Sequence, residues 1–170
     1  MPGFRPGASD AYARTFQGDR MATVELRFSA QPEHVRTARL VAAAVARRAG
    51  VDEAVLDEVR LAVGEACSRA VGLHRSHGIT APVSVVLTEE EKAFSIEVGD
   101  GVPDPGSDPA TPGARGGASG GPGGPESDGG EDEMGLAVIS GLVDDVEVRS
   151  GADGGTIRMS WPTALAAVRP

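Results

Sequence analysis

The length, composition and charge of the chain exclude several classes of protein. Its 170 residues are 40% hydrophobic but only 4% aromatic, which predicts a single domain with an aliphatic core. Most of the formal charge of −9 lies in one segment and so says little about partners, but the absence of a basic stripe argues against direct contact with nucleic acid. The longest apolar run, residues 40–46, is too short to cross a membrane, and no charged-then-apolar leader precedes it. We therefore expect a cytoplasmic protein with no membrane contact.

Periodic apolar residues predict the elements of the first half of the chain. Residues 1–20 have no periodicity and are expected to form a flexible N-terminal tail before a domain at 21–164. Alternating apolar residues predict strands, and apolar residues spaced by three or four predict helices. The predicted elements are a strand at 24–28, a helix that starts at Pro32 and ends before Gly50, a helix at 55–73, and strands at 83–87 and 94–98.

A segment rich in glycine and proline then interrupts this pattern. More than half of residues 101–130 are Gly or Pro, and residues 101–133 hold seven acidic residues against one basic residue. Such a segment buries too little apolar surface to offset its ordering entropy, so we expect 101–132 to be a disordered acidic lid. A helix at 134–142, strands at 146–148 and 157–161, and a C-terminal tail at 165–170 are expected to follow. This element order predicts an α/β two-layer sandwich, in which a mixed sheet is covered on one face by helices.

One short stretch, "LAVGEACSRAV", places an acid and a base one turn apart on the second predicted helix. Glu65 and Arg69 are at i and i+4, where an exposed ion pair contributes about 0.2–0.5 kcal/mol. The residues alone leave two interpretations open, a plain helical ion pair or one side of a binding site. The nearby "HRSH" stretch, which contains His74 and His77, has no metal-ligand spacing and is expected to lie on the surface.

Five stretches of the chain, taken in order, resemble one protein family. They are "PEHVRTARL", "LAVGEACSRAV", "IEVGDG", "EMGLAVISGLVDDVEV" and "GGTIRM", within a resemblance that covers residues 23–161. The chain resembles the anti-sigma factors with serine-protein kinase activity of the RsbW and SpoIIAB type, which belong to the GHKL ATPase superfamily with its HATPase_c-like domain. The resemblance implies the GHKL (Bergerat) ATP-binding fold, a mixed β-sheet covered on one face by three helices.

The resemblance also implies a nucleotide site that is altered in this chain. In the family, a Glu at the position of Glu65 acts as general base, and an Asn one turn later binds magnesium. Arg69 occupies that second position. A guanidinium group has no acceptor atom for a metal ion, although its donors could contact a phosphate directly. The resemblance therefore implies that residue 69 provides no metal ligand.

Three further positions match family residues around the nucleotide. Asp100 matches an Asp that accepts a hydrogen bond from adenine, Thr156 a threonine near the adenine, and Gly135 a glycine where a helix start approaches phosphate. From the residues alone, Asp100 could be a turn former and Thr156 an ordinary strand residue. Glu133 replaces a family glycine, and its charge would repel a triphosphate. The resemblance implies ATP and Mg as cofactors, and these substitutions predict weak or lost binding and impaired catalysis.

The resemblance implies protein partners as well. In the family, an Arg on the first helix contacts the sigma factor and the competing STAS-domain anti-anti-sigma protein; Arg39 is the match, with Arg36 as a neighbouring alternative. The implied function is that of an anti-sigma-factor-like regulator in bacterial partner switching, acting as a homodimer through a sheet edge. The alternative is an active serine-protein kinase that phosphorylates a STAS-domain antagonist with Mg-ATP. A histidine-kinase catalytic domain is disfavoured because no dimerisation helix with a phospho-accepting His precedes the domain.

Overall fold

A computed structural model of the chain describes residues 22–103 and 128–164, with side chains for all of these except 128–133. The predicted tails at 1–20 and 165–170 and most of the predicted lid at 101–132 lie outside the described residues. The elements are β1 (Thr23–Phe28), α1 (Pro32–Ala49), a single 3-10 turn (Glu53–Val55), α2 (Leu56–Ser76), β2 (Val83–Glu89), β3 (Ala93–Gly99), α3 (Asp128–Leu142), β4 (Asp145–Gly151) and β5 (Gly154–Pro162). Their order is the one predicted from the sequence.

The five strands form one sheet in the order β1-β2-β3-β5-β4. The predicted two-layer α/β fold is confirmed, but the sheet is antiparallel at every pairing rather than mixed. β3 and β4 do run in the same direction, because the connection that contains α3 returns the chain to the end of the sheet where β3 begins. β5 then lies between them and is antiparallel to both. The element order alone does not specify this insertion.

The core lies between the sheet and the helices. The buried stripe of α1 consists largely of alanine, and that of α2 includes three alanines and one glycine, which allows the two helices to pack closely. α2 is the central helix, since it contacts α1, α3 and the two strands β2 and β3. The three central strands contribute nine buried side chains to this core: Val83, Val85, Leu87, Phe94, Ile96, Val98, Ile157, Met159 and Trp161.

The boundaries of the helices follow from local chemistry. Pro32 stands at the start of α1, and Gly50 ends it in a left-handed conformation with φ of 92°, donating its N–H to the last turn. Asp52 accepts a hydrogen bond from the Ala54 N–H at 2.8 Å and so caps the 3-10 turn that precedes α2. Over residues 22–103 and 128–164, no helix combines the length and apolar character needed to cross a bilayer.

The two edge strands carry matching ion pairs. On β1 the Arg27 Nε lies 2.7 Å from Glu25 Oε1, and on β4 the Arg149 Nε lies 2.8 Å from Glu147 Oε1. The hydrogen bond from Arg149 lowers the pKa of Glu147 below its ordinary value. Both pairs are exposed to water, which screens their charges, so each contributes little to stability.

The single cysteine, Cys67, is fully buried on α2, and burial raises the pKa of its thiol from 9.0 to about 12. We expect the folded protein at pH 8 to react with a thiol-specific disulfide reagent about a thousandfold more slowly than the denatured chain, because the thiolate is the reactive species. The raised pKa also implies that the contribution of the neutral Cys67 thiol to folding stability is fully present below pH 9 and is lost as the pH rises toward 12. Equal reaction rates for folded and denatured protein would contradict this prediction.

Candidate functional site

A pocket of about 220 Å³ lies at the end of the sheet where β3 ends and β5 begins. Its volume falls below the range of about 300–1,000 Å³ that is usual for sites that enclose a drug-sized ligand. The described residues therefore enclose less space than a site of that size. The lining residues come from α2, the end of β3, β4 and β5: Arg69, Leu73, Asp100, Val102, Pro103, Val148, Arg149, Ser150, Gly155, Thr156 and Ile157.

Asp100 is fixed at the base of this pocket by backbone groups. Its Oδ1 accepts hydrogen bonds from the Val102 N–H at 3.0 Å and the Gly155 N–H at 3.2 Å. Its own N–H donates to the Gly155 carbonyl at 2.9 Å. The side chain is only 7% exposed. The second carboxylate oxygen, Oδ2, is thus the one left to face the pocket.

Two glycines at the start of β5 allow this close approach to Asp100. Gly154 has φ of 119°, and a Cβ built on it would lie 2.0 Å from the Asp100 carbonyl oxygen. A Cβ on Gly155 would lie 2.7 Å from Asp100 Oδ2. The absence of a side chain at both positions is therefore a requirement of the pocket floor.

Arg69 extends from α2 toward Asp100 rather than along the helix to Glu65. Its Nη1 lies 3.6 Å from Asp100 Oδ2, and the Arg69 side chain is 19% exposed. This distance exceeds the roughly 2.7–2.9 Å of a charge-assisted hydrogen bond, so the contact is an ion pair without a good hydrogen bond. Arg69 Nε is buried and has no hydrogen-bond partner among the described residues. Of the two interpretations open from the sequence, the plain pair with Glu65 is not formed.

The donor set around Arg69 does not fit magnesium. The ion requires hard oxygen ligands, whereas the guanidinium has no lone pair to offer and places a positive charge beside Asp100. The residues around Asp100 fit an adenine ring better than they fit a metal ion. Asp100 Oδ2 could accept a hydrogen bond from the amino group of adenine, in competition with Arg69.

Of the other residues that were predicted to bind a nucleotide, only some line this pocket. Thr156 lines the pocket and pairs with Gly99 across β3 and β5. Glu65 is half-buried on α2 and is not among the lining residues. Gly135 was expected at a helix start, and this expectation is wrong because α3 begins at Asp128. Its N–H then belongs to the hydrogen-bonded interior of the helix and is not free to approach a phosphate.

The predicted partner-binding arginines lie on the outer surface of α1. Arg36 and Arg39 are both exposed. The Arg39 side chain crosses to α2, where its Cδ and Nε lie 3.1 and 3.2 Å from the position that a Cβ on Gly64 would take. Arg39 therefore packs beside the residue that precedes Glu65, so the candidate partner contact and the candidate general base lie in neighbouring parts of the surface.

His74 lies next to this site, in contact with the residue after Asp100, and the sequence interpretation misplaced it. It was expected on the surface, but it is fully buried. Its Nδ1 lies 2.9 Å from the Ala81 carbonyl oxygen, and its Nε2 accepts a hydrogen bond from the Gly101 N–H at 2.8 Å. The available signal was its position, because His74 follows Cys67 and Ala70 at helical spacing on the buried face of α2.

A comparison with protein-family models identifies the domain. The model of the histidine kinase-like ATPase domain matches residues 28–161, from the end of β1 to the end of β5. The chain belongs to this family. The matched range includes Arg69, Asp100 and Thr156, which line the pocket described above.

Solved structures provide a second comparison. The structure of the RsbU and RsbW domains of Rv1364c from Mycobacterium tuberculosis superimposes with a TM-score of 0.54 at 15% sequence identity. The match covers 82% of this chain and 32% of that protein, so this chain corresponds to about a third of its length. At this identity the likeness establishes a shared fold. No curated protein sequence matches the chain.

Proposed function

We propose that this histidine kinase-like ATPase domain is an anti-sigma-factor-like regulator in bacterial partner switching. It binds a sigma factor, a STAS-domain anti-anti-sigma protein, or both, and has weak or lost ATP binding. The main observation behind the weak or lost ATP binding is the ion pair between Arg69 and Asp100. It places a positive charge where a magnesium ligand would be needed. The likeness of its fold to a structure that includes an RsbW domain supports the RsbW and SpoIIAB subtype.

The charges of the pocket explain why ATP would bind poorly. An adenine ring that donates a hydrogen bond to Asp100 Oδ2 must compete with the Arg69 guanidinium. The side chains of Asp100 and Arg69 are both mostly shielded from water. Separating a mostly buried ion pair leaves each charge without its partner, which is costly. Without a metal ion, the charge of the triphosphate would have only protein groups to balance it.

The partner surface that we propose is the outer face of α1, formed by Arg36, Arg39 and Leu40. All three side chains are exposed, and Leu40 is 59% exposed although it is a large apolar residue. Arg36 and Leu40 are one turn apart and so share a side of the helix. Arginine next to exposed apolar surface is typical of the residues that contribute most to protein–protein binding. We propose that the domain pairs as a homodimer through a sheet edge, away from this surface.

Capture of partners from bacterial cytosol by the tagged full chain tests the proposal. We expect recovery of a sigma factor or a STAS-domain protein, and an affinity loss of about thirtyfold or more for Arg39→Ala, as for a residue central to an interface. Arg75→Ala, which removes an exposed arginine at the end of α2, is the matched control and should change affinity by less than about threefold. Recovery of neither partner class, or equal losses for the two variants, would count against the proposal.

The alternative, an active serine-protein kinase acting on a STAS-domain antagonist with Mg-ATP, has one supporting observation. Glu65 is at the position of the family's general base and is not neutralised by Arg69, whose partner is Asp100. Transfer of phosphate from ATP to a serine of the captured STAS-domain protein, lost in Glu65→Gln, would favour this alternative over the regulator with a weakened site.

A further inference from the structure

The buried imidazole of His74 has hydrogen-bond partners that fix its chemical form. The Ala81 carbonyl can only accept a hydrogen bond, and the Gly101 N–H can only donate one. Assigned from these partners, the ring must carry its proton on Nδ1 and leave Nε2 free as an acceptor, which is the neutral Nδ1–H tautomer. The opposite tautomer and the imidazolium would each direct an N–H at the N–H of Gly101.

His74 also connects two segments of chain that are distant in sequence. Its backbone carbonyl accepts a hydrogen bond from the Ile79 N–H at 2.8 Å, and its Nδ1 donates to Ala81, so the connection after α2 is attached at two points. Gly101 fits beneath this connection: a Cβ built on it would lie 3.1 Å from Ile79 Cγ2 and 3.6 Å from His74 Nε2. The turn after β3 is thereby enclosed by the end of α2.

Gly101 in turn follows the pocket carboxylate directly. The N–H groups of Val102 and Gly155 bind Asp100 Oδ1, and the N–H of Gly101 binds His74. Removing the His74 contact would leave the Gly101 N–H without a partner, and the peptide that joins it to Asp100 could then rotate toward another acceptor. The direction of the Asp100 side chain depends on that peptide.

We infer that His74 is a positioning residue of the pocket: through the Gly101 N–H it holds the turn that orients the Asp100 carboxylate, and it does so only as the neutral Nδ1–H imidazole. The geometry of the turn is independent of any ligand. Its consequence for nucleotide affinity rests on the proposed nucleotide pocket.

Two conservative variants of the full chain separate the two hydrogen bonds of His74. The His74→Asn amide lies near the position of Nδ1, so it can still donate to Ala81 but cannot reach Gly101. The longer side chain of His74→Gln brings its amide oxygen near the position of Nε2, so it can still accept from Gly101 but loses Ala81. Each variant removes one hydrogen bond from a buried site, and a purely structural role predicts similar effects for both.

Amide hydrogen exchange, with thermal unfolding measured in parallel, distinguishes these expectations. We expect the amides of Gly101, Val102 and Gly155 in His74→Asn to exchange about tenfold faster or more than in the wild type, relative to core amides of α2. In His74→Gln the same amides should stay within about threefold of the wild type, although both variants lose thermal stability. Equal acceleration in the two variants, in proportion to their loss of stability, would overturn the inference.

The ring nitrogens of the wild-type protein provide a test that does not depend on whether the variants fold. Nitrogen NMR should show a protonated Nδ1 and an unprotonated Nε2 on His74, and a protonated Nε2 would overturn the inference. Adenosine added without magnesium serves as the ligand probe, and its affinity should fall more in His74→Asn than in His74→Gln. A wild-type protein that binds no adenosine would agree with the lost nucleotide binding proposed above, and the exchange rates and the tautomer would then decide the role of His74.

Discussion

Replacing Arg69 by asparagine is expected to create a magnesium-dependent affinity for ATP that the wild-type protein lacks. The amide oxygen of asparagine supplies a hard ligand of the kind that magnesium prefers. Loss of the guanidinium, whose Nη1 lies 3.6 Å from Asp100 Oδ2, also leaves that oxygen open to an amino group of the base. In calorimetric titrations with excess magnesium and with EDTA, we expect magnesium to raise the ATP affinity of Arg69→Asn about tenfold or more, or about 1.4 kcal/mol.

Two matched variants at the same position separate charge from metal binding. Arg69→Ala frees Asp100 but offers no oxygen, so its ATP affinity should rise to a similar extent with and without magnesium. Arg69→Lys keeps the positive charge and should gain no affinity on adding magnesium. Asparagine and alanine both remove the counter-ion of a buried carboxylate, so their losses of stability should be similar. Tight binding of Mg-ATP by the wild type would contradict the prediction and would leave Arg69 as a direct phosphate contact.

Substitution of Gly154 by alanine should produce the largest loss of stability that we predict. Two effects add: the φ of 119° is strained for any residue with a side chain, and the new Cβ would lie 2.0 Å from the Asp100 carbonyl oxygen. Because that oxygen belongs to the backbone, the turn itself would have to move. We expect a loss of about 3 kcal/mol in the free energy of unfolding, seen as a fall of about 10 °C in Tm.

The control for this prediction is the same substitution at Gly72. This glycine is exposed within α2, and a Cβ built on it meets no atom within 4 Å. Gly72→Ala should therefore raise stability by about 0.5–1 kcal/mol through helix propensity. A Gly154→Ala protein as stable as the wild type would mean that the turn before β5 is not packed against Asp100 as described.

Much of the fold could be predicted because its elements have strong periodic patterns. The alternation of Val24, Leu26 and Phe28 and the apolar stripes of α1 and α2 are local signals, and the structure confirms the elements they predict. The start of α3 was missed because the residues from Asp128 to Glu133 are acidic or glycine and have no apolar period. The antiparallel pairing was missed because it depends on the insertion of β5 between β3 and β4. This insertion is a long-range feature that local sequence patterns do not indicate.

The candidate site was predictable residue by residue but not as an arrangement. The resemblance identified Arg69 and Asp100 as separate family positions, and only the fold brings these residues, 31 positions apart, within 3.6 Å of one another. Spacing along a helix favoured Glu65 as the partner of Arg69, yet the carboxylate at the end of β3 is the one that Arg69 contacts. His74 was misassigned because a histidine near other polar residues at a helix end suggests an exposed site, whereas its burial depends on acceptors and donors from two distant segments.

The matched ion pairs on β1 and β4 bear on how the molecule behaves in a crowded solution. An edge strand presents unpaired backbone groups that can recruit strands of other chains, and charged side chains on the edge hinder such growth. Each edge strand has an ion pair between a Glu and an Arg two residues apart. The charged side chains of each pair keep water at the edge, while their two charges cancel. These pairs hinder open-ended, fibre-like extension of the sheet, and a homodimer through one edge would have to accommodate the ion pair of that edge.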